Sequence, residues 1–179
     1  MTVLHSVSAV LALAGAVALA APVASPVAAD QHKKPSAEKP LAEVKLLTVE
    51  AKHDFQKTVK RLKGAVKSRG MKVIATIDHA KGAEKAGMDL RPTTLVIFGN
   101  PKVGTPLMQD NQLVGLDLPM KVLVHESEEG TVNLTYRAPD LLAHNWRMVP
   151  VPGQIEGMTK GLAAIVAEAA AREQGQPSM

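Results

Sequence analysis

The sequence predicts an α+β domain of two layers, a mainly antiparallel sheet with its helices on one face. Three observations carry that prediction. Apolar residues recur at helical spacing in two well-separated segments, Phe55 to Val66 and Ile155 to Ala169. Between them lie short β-branched runs bounded by glycine, proline and asparagine. The resulting order is β-α-β-β-β-β-α, which places few crossover helices between strands and so favours antiparallel neighbours.

Taken in order, Glu43 to Glu50 reads as the first strand. Asp54 then stands where a carboxylate can accept the free backbone N–H groups of a helix start. Phe55, Val59, Leu62 and Val66 form the apolar stripe of that helix, its other face carries lysines, and Gly70 supplies the stop. Lys72 to Asp78 is the second strand, and His79 to Gly87 fits a short helix closed by its glycine. Thr93 to Phe98 is the third strand, ending abruptly at Gly99-Asn100-Pro101. Val103 to Gln112 is expected to be a loop containing a helical turn. Met120 to Glu126 and Thr131 to Arg137 make a hairpin around Ser-Glu-Glu-Gly, and Pro139 to Trp146 a short helix. Ile155, Met158, Leu162, Ile165, Val166 and Ala169 stripe the long last helix.

The chain has 179 residues, and no internal repeat breaks it into copies. Residues 1–29 contain no Asp, Glu, Lys or Arg, and Val7 to Ala21 is almost wholly Ala, Leu and Val. A small-residue stretch ending Pro26-Val27-Ala28-Ala29 follows, the pattern of a secretory signal cleaved after Ala29. The apolar run is short for a membrane span of about 20 residues. The expected organisation is a signal peptide over 1–29, a polar, proline-bearing leader over 30–42, one domain over 43–172 and a tail over 173–179. The mature chain is expected in the periplasm or outside the cell, without a transmembrane segment. Cysteine is absent, which removes disulfides, thiolate metal sites and cysteine nucleophiles.

Charge is uneven along the chain. Residues 30–72 hold 12 Lys and Arg against 5 acids, whereas residues 73–179 hold 9 against 12. Lys57, Lys60, Lys63 and Lys67 concentrate the excess on the helix over 54–69, a candidate for docking to anionic surfaces or a solvated outer face. Nucleic acid is not expected as a partner, because the whole chain has four aromatic residues to offer for base stacking.

Several catalytic classes find no footing. There is no G-x-S-x-G elbow, and GNPKVGT lacks both the P-loop lysine-hydroxyl pair and the dinucleotide spacing. His32, His53, His79, His125 and His144 form no tight pair, so a metal would need ligands from distant segments. The polar residues that could converge are Asp78 and His79 at one strand end and Asn100, Pro101 and Thr105 after another, with Asp117 beyond. If those ends adjoin, they make a small ligand-binding rim, with Asp78 orienting His79. The competing reading is loop carpentry, in which Asp78 and Asn100 cap their own turns and the prolines fix dihedrals. The alternatives are an enzyme or metal-handling protein using His79 at this rim, and anionic docking through the basic helix. No cofactor is indicated. Leu107, Met108, Leu113, Leu116 and Met120 are unusually apolar for a loop region and suit a core, groove or interface.

Phe55, Thr58 and Leu62, Ile77 to Ala80, Phe98 to Pro101, Gly104 to Met108 and Asp117 to Pro119 together resemble the domain of unknown function 302 family. The likeness extends from about Val44 to Arg147. It implies a compact β-α-β4-α domain of TBP-like topology that often self-associates, so a homodimer is the expected assembly. It implies no activity and no catalytic residues. The function predicted is that of an exported module binding a small molecule or a partner.

Overall fold

The computed structural model describes residues 45–149 and 153–172. The expected signal peptide, the leader and the tail lie outside the described residues. Five strands, β1 (Leu46–Glu50), β2 (Lys72–Asp78), β3 (Thr93–Gly99), β4 (Met120–Glu126) and β5 (Val132–Arg137), form one sheet in the order β1-β5-β4-β3-β2. Every neighbouring pair is antiparallel. The predicted fold class is the one observed.

Helix α1 (Phe55–Ser68) begins where Asp54 accepts from the Lys57 backbone N–H at 2.8 Å, and Gly70 (φ 68°) closes it. Thr58, Val59, Leu62, Ala65 and Val66 turn inward onto the sheet. They meet Val96 and Phe98, Val122 and Val124, Val132, Leu134 and Tyr136 from alternate positions of β3, β4 and β5. The last helix, α5 (Gln154–Ala170), adds Leu162, Ile165, Val166 and Ala169 to the same cluster. Burying each Val, Leu, Ile or Phe side chain of this cluster contributes about 1.5–3 kcal/mol, so this layer dominates stability. Arg61 and Arg69 fasten α1 to the C-terminal end of α5. Arg61 donates to the Glu168 and Ala169 carbonyls at 2.7 and 3.2 Å, and Arg69 pairs with the Glu168 carboxylate at 2.6 Å. Cations there also complement the partial negative charge of a helix end.

Helices α2 (His79–Lys85) and α4 (Leu141–Asn145) are short, as expected. The segment after β3 departs from expectation. It is a full helix, α3 (Pro101–Asp110), followed by a 3-10 segment at Gln112–Leu116. Asn100 caps it, accepting from the Lys102 N–H at 2.9 Å, and Pro101 sits at its first turn, where a missing N–H costs nothing. Pro106 lies inside it, and together with Gly104 it makes the stretch read as a turn. The helix persists because its buried Leu107 joins a second apolar cluster with Val114, Leu142 and Met148. The domain therefore has two cores of unequal size.

The other face of the sheet carries no helix layer among the described residues. Cross-strand register puts Leu46, Arg137, Lys121 and Ile97 in one row of that face, and Thr48, Thr135, Leu123, Leu95 and Ile77 in the next.

Candidate functional site

The expected rim does not form. In the β2–β3 pair Asp78 lies opposite Thr94, near the start of β3, whereas Asn100 follows Gly99, which lies opposite Lys72. At about 3.3 Å per residue the two corners stand about 20 Å apart along the sheet. The physical reason is strand direction, since antiparallel neighbours place the end of one strand beside the beginning of the next.

Each predicted residue has a definite place. Asp78 caps α2, accepting from the Lys81 N–H at 2.9 Å, and His79 is the exposed first residue of that helix. Asn100 caps α3 while its side-chain amide donates to the Gly70 carbonyl at 3.4 Å, tying two loops together. Asp117 accepts from the Trp146 indole N–H at 2.7 Å and, more loosely, from Arg137 at 3.4 Å. Those are the carpentry roles. Among the described residues, no three His, Cys, Asp or Glu side chains are grouped closely enough to hold a metal.

Asn100, Pro101 and Thr105 nevertheless share one feature that Asp78, His79 and Asp117 do not. They line a cleft of about 650 Å³ at the C-terminal end of β3. Phe98 and Met120 come to it from the sheet, Met108 from α3, and Met158, Leu162 and Ile165 from α5. Its position follows from the two cores. Phe98, Leu162 and Ile165 belong to the large cluster, whereas Met108, Leu118 and Met158 pack against the small one. The cleft is the seam between them.

Two local features hold the seam open. The β2–β3 register shifts between Val73 and Ala75, and Ile74 at that irregularity lines the cleft, 55% exposed. Gly153, at the cap of α5, and Gly157 and Gly161 within it recur every fourth residue on the lining side. A Cβ built on Gly157 or Gly161 would find no atom within 4 Å. Ordinary side chains there would occupy the cleft. The apolar stripe of α5 masked this signal in the sequence; a four-residue glycine period on one helical face could have revealed it.

Polar groups are few. Arg69 is paired with Glu168, Asn100 is engaged on both sides, and Gln154 donates to the Val103 carbonyl at 3.2 Å. The Thr105 hydroxyl and the Lys102 ammonium have no hydrogen bond among the described residues. This is an apolar receptacle with one hydroxyl and one cation to spare. Its size falls within the range of about 300–1,000 Å³ usual for small-molecule sites.

A five-stranded antiparallel sheet with two helices on one face and an apolar seam at one end defines the class as an α+β domain. The family model described as "Domain of unknown function DUF302" matches residues 47–169, and the chain belongs to that family. A solved structure with the same fold is an uncharacterized conserved DUF302 protein from Bacillus stearothermophilus. The match has a TM-score of 0.61 and 24% identity, and covers 69% of this chain and 97% of that one. Among curated proteins, "Fluoride-specific ion channel FluC 1" of Brucella suis is 48% identical over 98 residues. The same-named protein of Brucella abortus and FluC 2 of Brucella melitensis match equally well. The matched stretch is 55% of this chain but 39% of the Brucella suis protein and 36% of the other two.

Proposed function

We propose that this domain is an exported binding module whose seam cleft takes a small, largely apolar molecule. The observation that carries the reading is the pair of glycines, Gly157 and Gly161, facing open space beside Met158, Leu162 and Phe98. Methionine supports it, because Met71, Met108, Met120 and Met158 give the lining a flexible, polarizable surface that adapts to irregular ligands. Thr105 and Lys102 would receive a polar end.

The test is titration with an environment-sensitive apolar dye such as 1-N-phenylnaphthylamine, using the wild type, Gly161→Leu and His79→Gln. Saturable binding that Gly161→Leu abolishes and His79→Gln leaves intact supports the cleft. Binding unchanged by Gly161→Leu, or no binding at all, removes it. Loss with His79→Gln would instead favour the enzyme or metal-handling alternative. Export rests on the uncharged residues 1–29, and fractionation with N-terminal sequencing tests it; a mature start near Asp30 is expected. Self-association is implied by the family resemblance alone, and sedimentation tests it.

A second reading concerns the partner. In the Brucella proteins a stretch like this chain is part of a longer protein named as a fluoride channel. Among the described residues here, no helix is long and apolar enough to cross a membrane. The corresponding role for this domain is that of an accessory working beside an ion channel. A strain lacking the chain should then grow worse than its parent at raised fluoride; equal growth removes this reading.

A further inference from the structure

The helix-free sheet face is not uniformly flat. Near α4 and the 3-10 segment it dips into a hollow of about 420 Å³, separate in its lining from the seam cleft except at Met120. Leu95, Leu123 and Leu46 contribute apolar surface from three strands, with Leu116 and Leu141 beside them. Three cations and one carboxylate, Asp117, also line it. Lys45 is paired with Asp140 at 3.2 Å, and Arg137 reaches Asp117 at 3.4 Å. Lys121 has no carboxylate partner among the described residues.

Lys121 is nonetheless held firmly. Its ammonium donates to the Asp117 and Pro119 carbonyls at 2.8 and 3.0 Å, so two of its three protons are committed and one remains. Carbonyl oxygens orient the charge but do not neutralise it. Register places Arg137 directly across the β4–β5 ladder from Lys121, since Val122 faces Tyr136. Like charges opposed in this way repel. Burial holds the Lys121 pKa below the usual lysine range; Asp117 opposes that lowering and Arg137 adds to it. A site with these properties gains from a bound anion. The leucines require that the anion carry an apolar body.

We propose that this hollow is a second binding site, for a small amphiphilic carboxylate, with the carboxylate on Lys121 and Arg137 and the hydrocarbon over Leu95, Leu123 and Leu46. A planar guanidinium beside an ammonium suits a two-oxygen anion better than a point charge. The competing account is that Lys121 only braces the 117–119 loop.

The test uses octanoate, with octan-1-ol as its uncharged twin, and follows leucine methyl resonances by NMR. The wild type is used, and because Leu95 and Leu123 line the hollow and not the seam cleft, their methyls report this site separately from the proposed seam ligand. The expected result is saturable shifts of the Leu95 and Leu123 methyls with octanoate and about tenfold or weaker binding of octanol, as loss of a charge-assisted contact implies. Lys121→Met and Arg137→Gln should each weaken octanoate by a similar factor without changing octanol. Should Lys121→Met fail to fold, Arg137→Gln is read alone. Equal affinity for the acid and the alcohol, no shifts at Leu95 and Leu123, or octanoate binding indifferent to Arg137→Gln would overturn the proposal.

Discussion

Gly157 and Gly161 lie one turn apart on α5, and both line the seam cleft with no atom within 4 Å of where a Cβ would stand. Glycine within a helix costs about 0.5–1 kcal/mol relative to alanine. Neither glycine has a positive φ that would require it. The pair is thus a local cost to stability that leaves space. Gly161→Ala should raise stability by up to about 1 kcal/mol in urea denaturation, whereas Gly161→Leu should abolish dye binding. Stability and binding moving in opposite directions separate this account from one in which the glycines are needed for close packing.

Trp146 is the only tryptophan in the chain, and its indole N–H donates to Asp117 at 2.7 Å. Asn111 donates to the carbonyl of the same residue at 2.9 Å, so Trp146 is fixed from two sides. Removing the carboxylate leaves a half-buried indole donor unpaired, at a cost of about 1–3 kcal/mol. Asp117→Ala should lower stability by that order and change the intrinsic fluorescence, while dye binding in the folded protein changes little. An unchanged emission spectrum would contradict the assignment of Asp117 to this role.

Asp78 and His79 are predicted to be irrelevant to the cleft. Asp78→Ala removes the α2 cap and should cost about 1 kcal/mol. His79→Gln should be close to neutral for stability, as expected of an exposed side chain away from special geometry. Dye affinity should match the wild type in both. A tenfold loss with His79→Gln would favour the enzyme or metal-handling alternative, and the same loss with Asp78→Ala would show that the α2 cap acts on the cleft.

How far the sequence reached follows from which forces are local. The stripe of Phe55, Val59, Leu62 and Val66 and the cap at Asp54 are written in consecutive residues, so α1 was legible to its ends. Gly70, Gly87 and Gly130 marked turns because each needs a positive φ, which the backbone shows. Helix α3 is not legible locally, because Gly104 and Pro106 are local breakers that burial of Leu107 against segments far along the chain overrides. The rim failed on direction, since placing Asp78 beside Asn100 conflicts with the antiparallel pairing that the same sequence predicts. Asn100, Pro101 and Thr105 do line a cavity, but its walls come from α5, and that juxtaposition is tertiary. Met108 and Met120, suited to a core or groove by their apolarity, do line it.

Two groups set an alkaline signature. Burial holds the Tyr136 phenol above its ordinary value, and burial lowers Lys121 despite Asp117. For Tyr136 the folded state keeps its proton longer than the unfolded chain, so its contribution is present at neutral pH and lost as pH rises through the raised value. For Lys121 the unfolded chain holds the proton longer, so stability gains as pH climbs from the lowered value to the ordinary lysine range. Denaturation between about pH 8 and 11 should show the wild type losing ground to Tyr136→Phe and gaining on Lys121→Met. Parallel curves for all three proteins would contradict both assignments.

Whether the seam between the two cores receives an apolar ligand can be read from methionine methyl NMR. Met71, Met108, Met120 and Met158 line the cleft, whereas Met88, 62% exposed beyond α2, does not. Adding 1-N-phenylnaphthylamine to protein labelled at methionine methyl carbons should shift the four lining resonances saturably and leave Met88 in place. Shifts at Met88 with the lining methionines unmoved, or uniform shifts at all of them, would contradict the account.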